Sequence, residues 1–151
     1  MKQRVAPTGL SIKIVTGFIL LLTLAMFIGS IYEPVLVWAG LSLSFIVLMC
    51  YLYAPVSYIL EDNQLLVVRR INSKAFSPVI KCTSIEYDKP SFVLRLWGNG
   101  GLFSGSGIFW NRKYGVFRAY VTTGKRSHLV LVETPSDKVI ITPENPGQFL
   151  T

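Results

Sequence analysis

Two apolar runs without a single charge fill most of the first 60 positions, interrupted only by Glu33-Pro34. The first, Ile14 to Tyr32, is 19 residues long and the second, Val35 to Leu60, is 26. A helix rises about 1.5 Å per residue, so about 20 residues cross a hydrocarbon core roughly 30 Å thick. Backbone amides find no water there, which makes each run helical. A cleaved signal peptide does not fit: the first run exceeds the roughly 7–15 residues of a signal core, and no small-residue cleavage site follows it. The pattern predicts two spans, at about residues 14–32 and 35–57. Their turn is short enough to make them antiparallel neighbours, and Gly40 and Ser44, four apart, allow close approach.

Behind the spans the period shortens. Tyr58 to Leu60, a turn at Glu61-Asp62-Asn63-Gln64, and Leu65 to Arg70 predict a hairpin. Val79-Ile80, Ile85-Glu86-Tyr87, Phe92 to Trp97 and Gly115 to Thr122 predict further strands. Leu129 to Thr134 and Lys138 to Thr142 flank Pro135-Ser136-Asp137, a second hairpin. Pro143-Glu144-Asn145-Pro146 opens one terminal helical turn that points Phe149 back at the core. Short strands with no long amphipathic helix indicate a small barrel or sandwich.

Charge then sets orientation. Lys2, Arg4 and Lys13 precede the first span, Arg69, Arg70, Lys74 and Lys81 follow the second, and only Glu33 lies between. Flanking cations stay on the cytoplasmic side, so both termini are expected there, in a multi-pass protein of the inner (cytoplasmic) membrane. Pro34 suits the first turn of a helix, where its missing N–H costs nothing. Tyr32 and Trp38 fit an outer aromatic belt, and Tyr51, Tyr53 and Tyr58 an inner one. The chain carries 15 Lys and Arg against 8 Asp and Glu, a net +7, of which residues 61–151 hold 12 against 7. Cys50 in the second span and Cys82 in the domain differ too much in depth to pair, which suits a reducing compartment.

The order of features resembles a known family. Tyr58-x-Leu60-x-x-x-x-Leu65-x-Val67-x-Arg69 precedes a central segment, Arg95-x-x-Gly98-x-Gly100-Gly101-x-x-x-Gly105-x-Gly107. Gly115-x-x-x-Ala119-Tyr120-Val121-Thr122 and Val139-x-Ile141-x-Pro143-x-x-Pro146-x-x-Phe149 complete the likeness. Together these resemble the bacterial pleckstrin-homology (PH)-like domains, often tethered behind paired transmembrane helices, over about residues 56–151. The resemblance implies a bent barrel of about seven strands closed by a C-terminal helix, here expected to be short. The expected fold is a membrane α-helical hairpin of two transmembrane helices, residues 1–57, followed by a small all-β or α+β PH-like barrel, residues 58–151.

Candidate chemistry is sparse. Gly98 to Gly107 lacks the lysine of a Walker loop. It also fails Gly-x-Gly-x-x-Gly, because Phe103 and Trp110 stand where the third glycine belongs. No helix follows to hold a phosphate. The stretch is expected to be a flexible, bulged loop whose Phe103, Phe109 and Trp110 form an exposed contact surface. His128, the one histidine, lies in a turn and is expected to be solvated. No nucleophile elbow or metal-ligand spacing occurs, so no enzyme, cofactor or small-molecule substrate is expected.

Arg69-Arg70 with Lys74, Arg112-Lys113 and Lys125-Arg126 form three basic clusters. Near an anionic leaflet each cation contributes about 1 kcal/mol, and equally they serve as solvated faces or topology signals. An inositol-phosphate pocket is disfavoured by the acidic Glu61-Asp62 turn, and nucleic acid by the absence of interleaved basic and aromatic residues. The expected function is a membrane-anchored adaptor or scaffold whose partners are membrane lipids and another membrane protein or complex. The alternatives are an accessory subunit of a membrane complex and a module that senses anionic lipid.

Overall fold

The computed structural model describes residues 2–85 and 93–150. The apolar runs form α1 (Leu10–Gly29) and α2 (Val35–Leu52). Both begin or end earlier than the limits of 14–32 and 35–57 that charge alone suggests. The Lys13 stem is long enough to lift its ammonium toward the interface, so the residue is tolerated in the first helical turns. α2 ends before Pro55, which disfavours helical backbone in the residue ahead of it. α1 buries none of its residues and α2 buries only Gly40. Helices this apolar and this uncovered need an apolar solvent, and the pair fits a membrane anchor. At Gly40 an added Cβ would stand 3.2 Å from the ring of Phe27, so this glycine admits the facing helix.

The strands form two sheets. One has the order β1 (Lys2–Arg4), β2 (Pro55–Glu61), β3 (Gln64–Arg69), β4 (Ser73–Phe76), all antiparallel. The other contains β5 (Lys81–Ser84), β6 (Val93–Gly100), β7 (Gly105–Asn111), β8 (Gly115–Val121), β9 (Val130–Glu133) and β10 (Lys138–Ile141). Its order is β5-β9-β10-β8-β7-β6, and only β8 and β10 run parallel. Ten strands in two sheets thus replace the expected seven among the described residues.

Local details differ from expectation for identifiable reasons. The first hairpin turns on two residues, Asp62 and Asn63, both left-handed (φ 47° and 61°), which is the tight geometry that Asp and Asn tolerate. Val79-Ile80 is not a strand; β4 and β5 lie on either side of it. Of the expected strand at Ile85-Glu86-Tyr87 and that beginning at Phe92, residues 86, 87 and 92 lie outside the described residues. The C-terminal element is one 3-10 turn, Pro146–Gln148, followed by the fully buried Phe149. Tyr58 is not interfacial: it is buried on β2, and its hydroxyl donates to the Tyr120 carbonyl at 2.5 Å.

The N-terminal tail belongs to the barrel. Gln3 pairs with Tyr58 across β1 and β2. The Ala6 N–H donates to the Thr142 carbonyl at 2.8 Å, and the Thr122 hydroxyl donates to the Ala6 carbonyl at 2.7 Å. The helical hairpin therefore leaves from and returns to one sheet, between β1 and β2. The expected boundary at residue 58 falls inside β2.

The central strands bury both faces. Tyr120, Val130, Val132, Val139 and Ile141 face the main core with Tyr58, Leu65, Val67, Phe76 and Phe149. Their neighbours Ala119, Leu131 and Ile140 join Phe117 and Ile85 on the other side. Period-2 alternation between two apolar faces gives the unbroken hydrophobic runs seen here.

Candidate functional site

The glycine-rich stretch is a hairpin rather than a flexible loop. Gly98 and Gly100 lie in β6, Gly105 and Gly107 in β7, and Gly98 faces Gly107 across the ladder. A Cβ on Gly98 would approach the Ser106 carbonyl oxygen to 2.4 Å, and one on Gly107 the Trp97 carbonyl oxygen to 2.1 Å. Only glycine lets the backbones come this close. The expected bulge is present, between Arg95 and Trp97. Asn99 closes the turn by accepting the N–H groups of Gly101 and Leu102 at 3.2 and 2.9 Å.

This turn leans on the anchor. The Phe103 N–H donates to Thr16 Oγ1 of α1 at 3.0 Å, and the Phe103 ring meets Tyr51 of α2 edge-on at 5.3 Å. Phe103 is thus a fastening, half-buried, and not a free contact. Phe109 is also half-buried: it stacks on Phe117 with centroids 6.0 Å apart. Of the three aromatics expected to be exposed, Trp110 alone is.

The exposed apolar surface lies one strand away. β6 is the last strand of its sheet, and β7 is its hydrogen-bonded neighbour among the described residues. Val93, Leu94, Leu96 and Trp97 are 49, 45, 48 and 78% exposed. Successive residues of a strand point to opposite faces, so among the described residues both faces of this edge carry exposed apolar side chains. A long hydrophobic edge of this kind is a template for another strand. Sequence reasoning missed it because glycines and the bulge hide the alternation. The signal available was Leu94-Arg95-Leu96-Trp97, where three of four consecutive side chains are large and apolar.

Between the sheet face of β6 and the end of α2 runs an open groove of about 810 Å³. Met49 and Tyr53 of the α2 end, Arg69 of β3, Arg95 and Trp97 of β6 and Tyr120 of β8 line it. The Arg69 guanidinium stands 5.3 Å from the Tyr53 ring centre and 5.8 Å from that of Tyr120, and its buried Nε has no acceptor among the described residues. Such stacking holds a desolvated guanidinium in place.

The three basic clusters do not converge. Arg69 and Lys74 lie on neighbouring strands, where Arg118 is a third cation, paired with Asp137 at 3.1 Å. Burial first, then the charges of Arg118 and Arg69, holds the Lys74 ammonium below its ordinary pKa. Arg70 turns onto the Tyr51 ring, 4.2 Å from its centre. Lys125 lines a small hollow with Gly9 and Leu10 where α1 begins, and Arg126 starts the adjoining 3-10 turn. Arg112 and Lys113 occupy the turn at the other end of β8, about 20 Å away at roughly 3.3 Å per residue. His128 is half-buried, its Nδ1 3.3 Å from the Pro143 carbonyl oxygen, and not simply solvated. The described residues contain no group of three or more acidic, His or Cys side chains that could hold a metal.

The family model described as Bacterial PH domain matches the chain over residues 56–151. No curated protein and no solved structure matches the chain. The match begins at the second residue of β2 and takes in every later strand, so it covers both sheets except β1. The chain belongs to the bacterial PH domain family, with two apolar helices fitting a membrane anchor set ahead of the matched region.

Proposed function

We propose that this protein is a non-catalytic, membrane-anchored adaptor that captures an extended segment of another membrane protein along the free edge of β6. The observation that carries the reading is that edge: eight residues, one neighbouring strand among the described residues, and apolar side chains exposed on both faces. Strand addition takes affinity from main-chain hydrogen bonds and specificity from alternate side-chain sites. The occupant is a membrane protein because the β6–β7 turn rests on Thr16 and Tyr51, which holds the edge at the membrane face. Anchoring also confines both partners to one plane and raises their effective concentration.

In this reading the protein sits in the cytoplasmic membrane with both termini inside. Two features support that placement. The cations flank the helices on one side, and β1 and β2, at the two ends of the hairpin, pair with each other. The test is purification of the full-length tagged protein in mild detergent beside Leu94→Lys and Trp97→Lys. A stoichiometric membrane protein that accompanies the wild type and is lost from both variants supports the adaptor. A partner retained by both variants points to the helices as the contact, as an accessory subunit requires.

A further inference from the structure

We infer that the segment captured along β6 is the stretch that directly follows a transmembrane helix of the partner, extended away from the membrane antiparallel to β6, with a carboxylate set against Arg95. This inference rests on the adaptor reading and adds to it the direction and the chemistry of the occupant.

Two sets of contacts fix the direction of β6 relative to the anchor. The β6–β7 turn meets both helices: the Phe103 N–H donates to Thr16 Oγ1, the Phe103 ring lies against Tyr51, and a Cβ on Gly101 would stand 3.9 Å from Val15. Beside it, the Gly9 N–H at the start of α1 donates at 2.9 Å to the carbonyl of Thr122, the residue after β8. β6 and β8 therefore both run toward the anchor, and β7 runs away from it. Val93 begins β6 at the far end, paired with Asn111 beside the Arg112-Lys113 turn. The eight residues of β6 span about 26 Å at roughly 3.3 Å each. An added strand thus passes Gly100 close to the anchor and Val93 farthest from it.

A segment that follows a span leaves the membrane and lies antiparallel to β6. One that precedes a span approaches the membrane and lies parallel. Antiparallel pairing is slightly stronger per residue, and parallel strands occur almost only where both faces of the sheet are covered. This protein's own parallel pair obeys that rule: β8 and β10 place Tyr120 and Val139 in the main core and Ala119 and Ile140 in the second. β6 carries exposed side chains instead, which suits an antiparallel occupant. A second copy of this chain fits poorly. Two copies in one membrane are related by an axis along the membrane normal, which preserves the direction of β6 and would pair the two strands parallel.

Charge sets the side chain opposite Arg95. That arginine is exposed on β6 and has no ion-pair partner among the described residues. Its guanidinium lies along the strand over Gly100, where a Cβ would collide with Nη1. A carboxylate on the added strand would meet the planar fork of that group with two hydrogen bonds. Residues 61–151 hold 12 Lys and Arg against 7 Asp and Glu, so an acidic segment is also favoured at longer range. Val93, Leu94, Leu96 and Trp97 call for apolar residues around the carboxylate.

The test is photo-crosslinking in intact membranes, with a benzophenone amino acid at Val93 or at Trp97 of the full-length protein. Mass spectrometry of each adduct locates the partner residue. The expected result is two adducts in one partner, both C-terminal to a span, with the position-97 adduct nearer that span by about four residues. R95E should lower the yield at position 97 about threefold, as loss of an exposed ion pair does. K81E, on β5 at the other edge of the sheet, should leave that yield unchanged. Adducts in the reverse order, or in a segment that precedes a span, overturn the direction and leave the adaptor reading standing. Adducts to a second copy of this chain overturn the occupant, and a yield unchanged by R95E overturns the carboxylate. No adduct from either position refutes the adaptor reading itself, and this inference with it.

Discussion

Tyr58 shows how much one side chain decides in this chain. Its ring fills the core between the two sheets, and its hydroxyl donates to Tyr120, joining β2 to β8. Burial is the main reason that its pKa is pushed up to about 12, from an ordinary 10.0. The fold holds the neutral phenol, whereas the unfolded chain loses that proton near pH 10. Stability from this group is therefore complete below about pH 10 and is lost as pH rises toward about 12, a total of ~2–3 kcal/mol. Unfolding followed in detergent should show that decline in the wild type, and Tyr58→Phe should flatten it while costing about 1–3 kcal/mol at neutral pH. An unchanged alkaline slope in the variant would assign the effect elsewhere. The apolar run up to Leu60 placed Tyr58 at the interface because composition alone cannot separate the end of a span from a buried strand. Pro55 was the residue that marked the change. Arg69 misled in the same way: it reads as a surface cation and is in fact stacked between tyrosines.

At the scale of elements, the β6–β7 hairpin is both the least legible feature and the one nearest to function. Glycine weakens strands in general, so a stretch with five glycines between residues 98 and 107 reads as a loop. Its order comes from close packing: Gly98 and Gly107 bring two backbones into contact, while Phe103 and Asn99 secure the turn. Gly98 also has φ 109°, a conformation that a side chain strains. Gly98→Ala should cost about 1–3 kcal/mol and loosen the edge. Hydrogen exchange read along β6 should rise, with β9 and β10 unaffected. Protection retained in β6 would mean that the clash relaxes without cost. The helices and the strands at 115–121, 130–133 and 138–141 were legible because their signals are local: unbroken apolar length in the first case, β-branched runs around a Pro-Ser-Asp turn in the second.

For the whole molecule, the membrane anchor is an insertion in the sheet and not an appendage. Lys2–Arg4 and Pro55–Glu61 are partners across the hairpin, and Ala6 is hydrogen-bonded to the Thr142 carbonyl and the Thr122 hydroxyl. No pattern in the first nine residues betrays this, since a three-residue strand has no periodicity to read. A protein of residues 55–151 alone should expose the β2 edge and self-associate, whereas residues 2–9 joined to 55–151 by a flexible linker should sediment as a monomer. Monomeric behaviour of both would make β1 dispensable. The adaptor claim rests on a different edge, that of β6 in the other sheet, and one measurement reaches it most directly. A photo-crosslinking amino acid placed at Leu94 on β6, or at Val116 on the interior strand β8, is irradiated in intact membranes. Both positions are exposed, but among the described residues the first lies on the last strand of the sheet and the second on a strand paired on both sides. The account predicts a single protein adduct from position 94 and none from position 116. Identical adducts from both positions, or no adduct from position 94, would contradict it.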